Sequence, residues 1–131
     1  MYSCIKHQHE NSSWVNWPIQ FRDRDTNALI EFSQTYKDDL DIVQFEQFVV
    51  YNVWHSIKKY ATHKSVAIFG DIPIFVSHDS ADVWANRRLF HLDENGYPIT
   101  IAGVPPDYFS ANGQRWGNPH YSWQEMAKDN Y

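Results

Sequence analysis

The chain has 131 residues, which predicts one domain at most and about half the length of a complete (β/α)8 barrel. A formal net charge of −5, with no basic run, argues against nucleic acid and anionic membrane surfaces as partners. Aromatic residues make up 17% of the chain, six Trp and eight Tyr among them, and leave two uses open: a Trp-rich core, or platforms on which the apolar face of a sugar ring stacks.

Cys4 is the only cysteine, so no intramolecular disulfide is possible, which suits a reducing compartment. No apolar run approaches the ~20 residues of a membrane span. The first residues lack the basic-then-apolar order of a signal peptide. Together these predict a soluble, cytoplasmic protein.

Residues 1–10 read as the tail of a helix, with Tyr2 and Ile5 at roughly helical spacing and no capping residue ahead of them. His7 and His9 diverge on such a helix and have no third ligand nearby, so they read as solvated side chains and no metal site is expected. Asn11, Ser12 and Ser13 form a turn, and Pro18 disfavours helix at Trp17. The mixed run Arg22-Asp23-Arg24-Asp25 reads as a solvated face or a helix start. Asp25 or Thr26 can cap a helix over 27–36. The clearest helix covers 38–60, where Ile42, Phe45, Val49, Val53, Ile57 and Tyr60 recur at three- and four-residue steps and predict a core-facing stripe.

Val66-Ala67-Ile68-Phe69 shows no polar alternation, as expected of a strand buried on both faces of a parallel sheet. Pro73 weakens regular pairing after it, which puts Asp71 at the carboxyl end of the strand, where α/β barrels build their sites. A carboxylate there either caps nearby amides or acts on a substrate. Asp79 or Ser80 caps a short helix beginning near Ala81. Asn95-Gly96 is the turn signal of a hairpin flanked by 89–92 and 97–101. Val104-Pro105-Pro106 is stiff and extended, and should hold Asp107, Tyr108 and Phe109 in a fixed presentation. Another helix begins at Trp123.

Three segments carry a family resemblance. They are Gly70-Asp71-Ile72-Pro73-Ile74-Phe75-Val76 with Asp79-Ser80-Ala81-Asp82-Val83-Trp84; Phe90-His91-Leu92-Asp93-Glu94-Asn95-Gly96-Tyr97-Pro98; and Ala102-Gly103-Val104-Pro105-Pro106-Asp107-Tyr108-Phe109-Ser110 with Gly113-Gln114-Arg115-Trp116-Gly117-Asn118-Pro119. In order and spacing they resemble the 4-α-glucanotransferases (amylomaltases or disproportionating enzymes) of glycoside hydrolase family 77. Trp14-Val15-Asn16-Trp17-Pro18 and Arg22-Asp23 extend the resemblance more weakly.

The resemblance implies an α/β fold, part of a (β/α)8 TIM barrel, with a hairpin insertion after the third barrel strand. It divides the chain into a mainly helical 1–65, a barrel strand 66–76, a substrate-cleft loop and hairpin 77–122, and the start of the next helix at 123–131. The barrel is expected to be incomplete, the chain reading as a fragment that lacks both ends. The implied activity is transfer of a segment of an α-1,4-glucan (a maltooligosaccharide, or a starch- or glycogen-derived dextrin) to a new 4-hydroxyl, by a retaining mechanism and with no cofactor. The Asp nucleophile, the Glu acid/base and a further Asp are expected after Tyr131, so none of the residues here is assigned as catalytic. Substrate binding is implied for Asp71 near the donor sugar, for Asp107, Tyr108 and Phe109 in a loop over the cleft, and for Gln114, Trp116 and Asn118 nearby. Trp116 as a loop anchor and Asn118 as a shaper of the turn before Pro119 stay open. Two rivals remain: a fragment of an α-amylase-type hydrolase, and a non-catalytic maltodextrin-binding remnant.

Overall fold

A computed structural model describes residues 1–131, which fall into two compact units: Thr26–Ile72 together with Met1, and Tyr2–Asp25 with Pro73–Tyr131. No helix in either is long and apolar enough to cross a membrane.

The first unit holds α3 (Thr26–Thr35) and α4 (Lys37–His63). Only Tyr36 separates them, its ring 4.5 Å from that of Phe32. Asp38 and Asp39 lie in the first turn of α4 and His63 in its last, the polarity a helix dipole favours. The helix stops where Ser65 adopts a left-handed φ of 55°. There the amides of Ser65 and Val66 bond back to the carbonyls of Thr62 and Ala61, a Schellman-type ending.

Two expectations fail in this unit. The α4 stripe is exposed rather than core, from 40% at Val49 to 66% at Tyr60. Residues 66–69 form no strand, and Phe69 is fully exposed. A parallel strand exists only against neighbours brought alongside by crossover connections, and the only sheet in these 131 residues is a two-stranded antiparallel one elsewhere.

The second unit is built on tryptophan. It contains α1 (Tyr2–Gln8), α2 (Ile19–Arg22), α5 (Ala81–Ala85), β1 (Ile101–Val104), β2 (Gln114–Pro119) and α6 (Trp123–Ala127). Trp14, Trp17 and Trp84 are buried. Each indole N–H donates to a carbonyl oxygen, of His78 at 2.8 Å, Ser12 at 3.1 Å and Phe21 at 2.9 Å respectively. Tyr2, Trp17 and Trp84 form a mutual cluster with ring centroids 5.3–5.7 Å apart. The core use of aromatic residues therefore accounts for these three tryptophans, while Trp116 and Trp123 stay half or more exposed.

The charged run is largely exposed and leads into α3, as expected, and it also carries ion pairs. Arg22 grips Asp23 through two hydrogen bonds of 2.9 Å, and Arg87 donates to the same carboxylate at 2.7 Å. The Arg22 hydrogen bond, with that from Arg87, holds the Asp23 carboxyl below its ordinary value against the opposing pull of desolvation. Arg87 also lies over the Trp14 ring at 5.3 Å and donates to the Glu94 carbonyl. Arg24 donates to the Ala85 carbonyl and lies over Trp84. Guanidinium groups thus cover the faces of two core indoles.

Asp79 does more than mark a helix start. The cap of α5 is Ser80, whose hydroxyl accepts from the Val83 amide. Asp79 instead collects the Tyr2 hydroxyl at 2.7 Å, the Lys6 ammonium at 2.5 Å and the Trp14 amide at 3.3 Å, fastening α1 to the approach to α5. The Asn95-Gly96 turn is present as expected. Asp93 Oδ1 accepts from the amides of Asn95 and Tyr97, and Leu92 bridges Pro98. Pairing there stops at that one bridge. The longer ladder is between β1 and β2.

Gly96 takes φ +90°, and a Cβ on it would stand 2.4 Å from Trp14 Cη2. Gly96→Ala is therefore expected to lose about 2–3 kcal/mol of stability by urea unfolding, from overpacking and a disfavoured φ together. Gly70→Ala, with open space around it, is expected to change little.

Stability should also follow pH through Asp79 and Tyr2. Desolvation, the largest influence on Asp79, pushes its carboxyl up, but the hydrogen bonds from Lys6, Tyr2 and Trp14 outweigh it and the net shift is downward. Such a group stabilises the fold above its unfolded value of about 3.9, and that stabilisation is lost as pH falls through the lower folded value. Burial, then the Asp79 hydrogen bond and charge, raise the Tyr2 hydroxyl. Its contribution is complete below the unfolded value of about 10 and is lost as pH rises beyond it. The urea midpoint is expected to be level between these limits and to fall on both sides, and Asp79→Asn should flatten the acid limb.

Candidate functional site

Six of the seven residues singled out by resemblance lie on one element, the β1–β2 hairpin and its connection. Val104 pairs with Gln114 and Gly103 with Arg115, but Ile101 pairs with Pro119. Ala102 therefore faces three residues, 116–118, and β2 bulges there, with Gly117 at φ +79°. Bulges re-aim the side chains beside them. Here they are Trp116 and Asn118.

The connection is closed by its own hydrogen bonds. Asp107 Oδ1 accepts from the amides of Phe109 at 2.9 Å and Ser110 at 2.8 Å, and the Asp107 amide donates to the Ser110 carbonyl at 3.0 Å. The Ser110 hydroxyl donates to the Gly113 carbonyl, and the Gly113 amide returns to the Ser110 carbonyl. Gly113 takes φ +72°, and a Cβ there would stand 2.5 Å from the Val104 carbonyl oxygen, so no other residue fits. At the tip Tyr108 and Phe109 are 97% and 90% exposed, their rings edge-to-face at 5.6 Å. The fixed presentation expected from Pro105 and Pro106 thus has a second source in the Asp107 carboxylate.

Lower on the hairpin, the Trp116 indole N–H donates to Gln114 Oε1 at 3.0 Å, and about half of Trp116 stays exposed. Asn118 Nδ2 donates to the Val76 carbonyl at 2.8 Å. Beside it Phe75 stacks on Tyr121 with centroids 6.0 Å apart, and Tyr121 meets Phe90 and Trp123. The base of the hairpin is therefore tied to residues 75–76 by one amide and an aromatic row. Asp71 belongs to the first unit. It is exposed, and its Oδ1 accepts from the Ile72 amide at 2.8 Å.

As a surface, the hairpin presents two nearly bare aromatic rings, a half-exposed indole and a side-chain amide. Apolar ring faces flanked by amide and carboxylate groups suit a ligand that is apolar on its ring faces and hydroxylated at its edge. The hairpin itself was not expected from the sequence, although Asn112-Gly113 between its strands is the same kind of signal as Asn95-Gly96. Ser110 and Gly113, which complete the turn, went unnoticed for the same reason.

A family model described as 4-alpha-glucanotransferase, glycoside hydrolase family 77, matches residues 1–131. The chain is 42% identical over 130 residues to the chloroplastic/amyloplastic 4-alpha-glucanotransferase of Solanum tuberosum, covering 99% of this chain and 23% of the relative. It is 45% identical over 127 residues to the 4-alpha-glucanotransferase of Synechocystis, covering 96% and 25%. The structure of amylomaltase from Streptococcus agalactiae in complex with acarbose matches with a TM-score of 0.92 at 36% identity, covering 98% of this chain and 26% of that one. The chain thus spans about a quarter of the length of the relatives it matches.

The part-buried hydrogen bond of Asn118 gives it a structural duty that Gln114 lacks. Asn118→Ala is expected to cost about 1 kcal/mol by urea unfolding, and Gln114→Ala a few tenths at most.

Proposed function

The chain belongs to the 4-alpha-glucanotransferase family, and from that premise we propose that the protein carrying it moves a segment of an α-1,4-glucan onto the 4-hydroxyl of glucose or of another α-1,4-glucan. The reaction is a retaining double displacement on a (β/α)8 barrel. A carboxylate displaces the leaving glucan at the anomeric carbon while an acid protonates the departing oxygen. The acceptor 4-hydroxyl then attacks the glycosyl-enzyme as the same group, now a base, takes its proton. The residues in hand are assigned to binding rather than to that pair of carboxyl groups. Asp71 serves the donor sugar, Tyr108 and Phe109 arch over the glucan, and Gln114, Trp116 and Asn118 line the approach. On this reading the exposed α4 stripe and residues 66–69 are surfaces of the barrel. The single free thiol, Cys4, fits a reducing compartment such as the cytoplasm.

The observation that carries the proposal is the exposed aromatic pair at the hairpin tip. Leaving two large rings in water forgoes about 1.5–3 kcal/mol each relative to burial, yet the turn beneath them is closed by five hydrogen bonds of its own. A rigidly held pair of bare rings suits stacking on sugar. Covering the glycosyl-enzyme with them excludes water, and water exclusion separates a transferase from a hydrolase, because the acceptor hydroxyl must outcompete water for the intermediate.

Incubation of the full-length polypeptide with maltotriose tests this. Transfer is expected to release glucose and build longer oligosaccharides while total reducing ends stay constant. A rise in reducing ends would instead support a hydrolase. Saturable maltodextrin binding without turnover would support a binding module.

A further inference from the structure

We propose that Asp107 is a positioning residue that acts through its neighbours. Its carboxylate fastens the turn that presents Tyr108 and Phe109, and it sets the balance between transfer and hydrolysis without contacting the glucan. This rests on the transferase reading above and departs from the direct substrate contact that the family resemblance implies for Asp107.

The geometry carries it. Oδ1 of Asp107 is already engaged by two successive backbone amides, Phe109 at 2.9 Å and Ser110 at 2.8 Å. These are charge-assisted bonds to an exposed loop, with no apolar packing behind the rings to do the same work. Phe109, whose own amide is held, is one of the two presented rings. Tyr108, between Asp107 and Phe109, is bracketed by fixed residues on both sides. Ser110 then passes the restraint to Gly113 through its hydroxyl, and Gly113 sits against the Val104 carbonyl at the end of β1. Hydrogen bonds therefore run from Gly113, next to Gln114 of β2, through Ser110 to Asp107, and the Asp107 carboxylate holds their outer end.

An acceptor atom at Oδ1 is what this role needs, and the negative charge is incidental. Asn keeps the acceptor and loses the charge, whereas Ala loses both. In the full-length polypeptide, Asp107→Asn is expected to keep its transfer-to-hydrolysis ratio within about twofold of the parent protein, and Asp107→Ala to lower it by about tenfold. The loss should appear mainly in the partition of the intermediate, read as added reducing ends per glucan transferred, rather than in KM for the donor.

A double-mutant cycle isolates the route. In a Tyr108→Ala, Phe109→Ala background the ratio should already be low, and adding Asp107→Ala should not lower it further. The proposal is overturned if Asp107→Asn falls as far as Asp107→Ala, which would give the charge a direct role. It is equally overturned if Asp107→Ala raises KM with the ratio unchanged, or if its effect persists in full without the two rings. The parent protein separates this from the underlying reading: if it shows no disproportionation of maltotriose, the transferase assignment fails. If it transfers and the variants disobey, only the role of Asp107 fails.

Discussion

Trp14 is fully buried, and its indole is accommodated because its N–H reaches the His78 carbonyl and because the residue against its ring is glycine. That one side chain joins stretches far apart in sequence. The His78 ring lies 5.4 Å from it and donates from Nε2 to the Gly96 carbonyl, Arg87 covers it, and Asp79 holds its backbone amide. Residues 2–17, 78–79 and 87–97 are fixed to one another around it. A polar N–H at one edge of a large apolar ring lets an indole do this where a phenyl group would not, since the buried N–H supplies direction as well as area.

The same economy appears on the hairpin. Polar side chains whose types suggest ligand binding are largely committed to the backbone: Asp107 to two amides, Asn118 to the Val76 carbonyl. The most exposed large groups are aromatic, Tyr108 and Phe109 at the tip and half of Trp116 lower down. On the proposed function, rigid rings without competing partners would meet a flexible, hydroxylated chain at low entropic cost, because the protein side is ordered before the ligand arrives.

Legibility in the sequence tracked the range of the interactions concerned. The helices α3 and α4, the Ser80 cap and the Asn95-Gly96 turn depend on residues within a few positions of one another, and periodicity and turn chemistry revealed them. The duties of Asp79 did not show, because Tyr2 and Lys6 lie more than seventy residues away. The bond between Arg87 and Asp23 did not show for the same reason, the two lying 64 residues apart. The β1–β2 hairpin was local enough to be seen through Asn112-Gly113. The adjoining Pro105-Pro106 obscured it, since a proline pair argues against a strand running on. The burial of Trp14, Trp17 and Trp84 agrees with the core use of aromatics, while Tyr108 and Phe109 stay exposed. Composition alone had no means of sorting them.

Two kinds of exposed apolar surface coexist in the chain, and their backbones tell them apart. Residues 66–69 are apolar, exposed and in no ladder, so both their side chains and their main chain are suited to sheet neighbours. The α4 stripe likewise follows the spacing of a face made for packing. Tyr108 and Phe109 are as exposed, but the turn that carries them is complete, with its polar groups closed on Asp107, Ser110 and Gly113. The closed turn that holds the bare rings has its backbone groups met, whereas the run 66–69 is in no ladder.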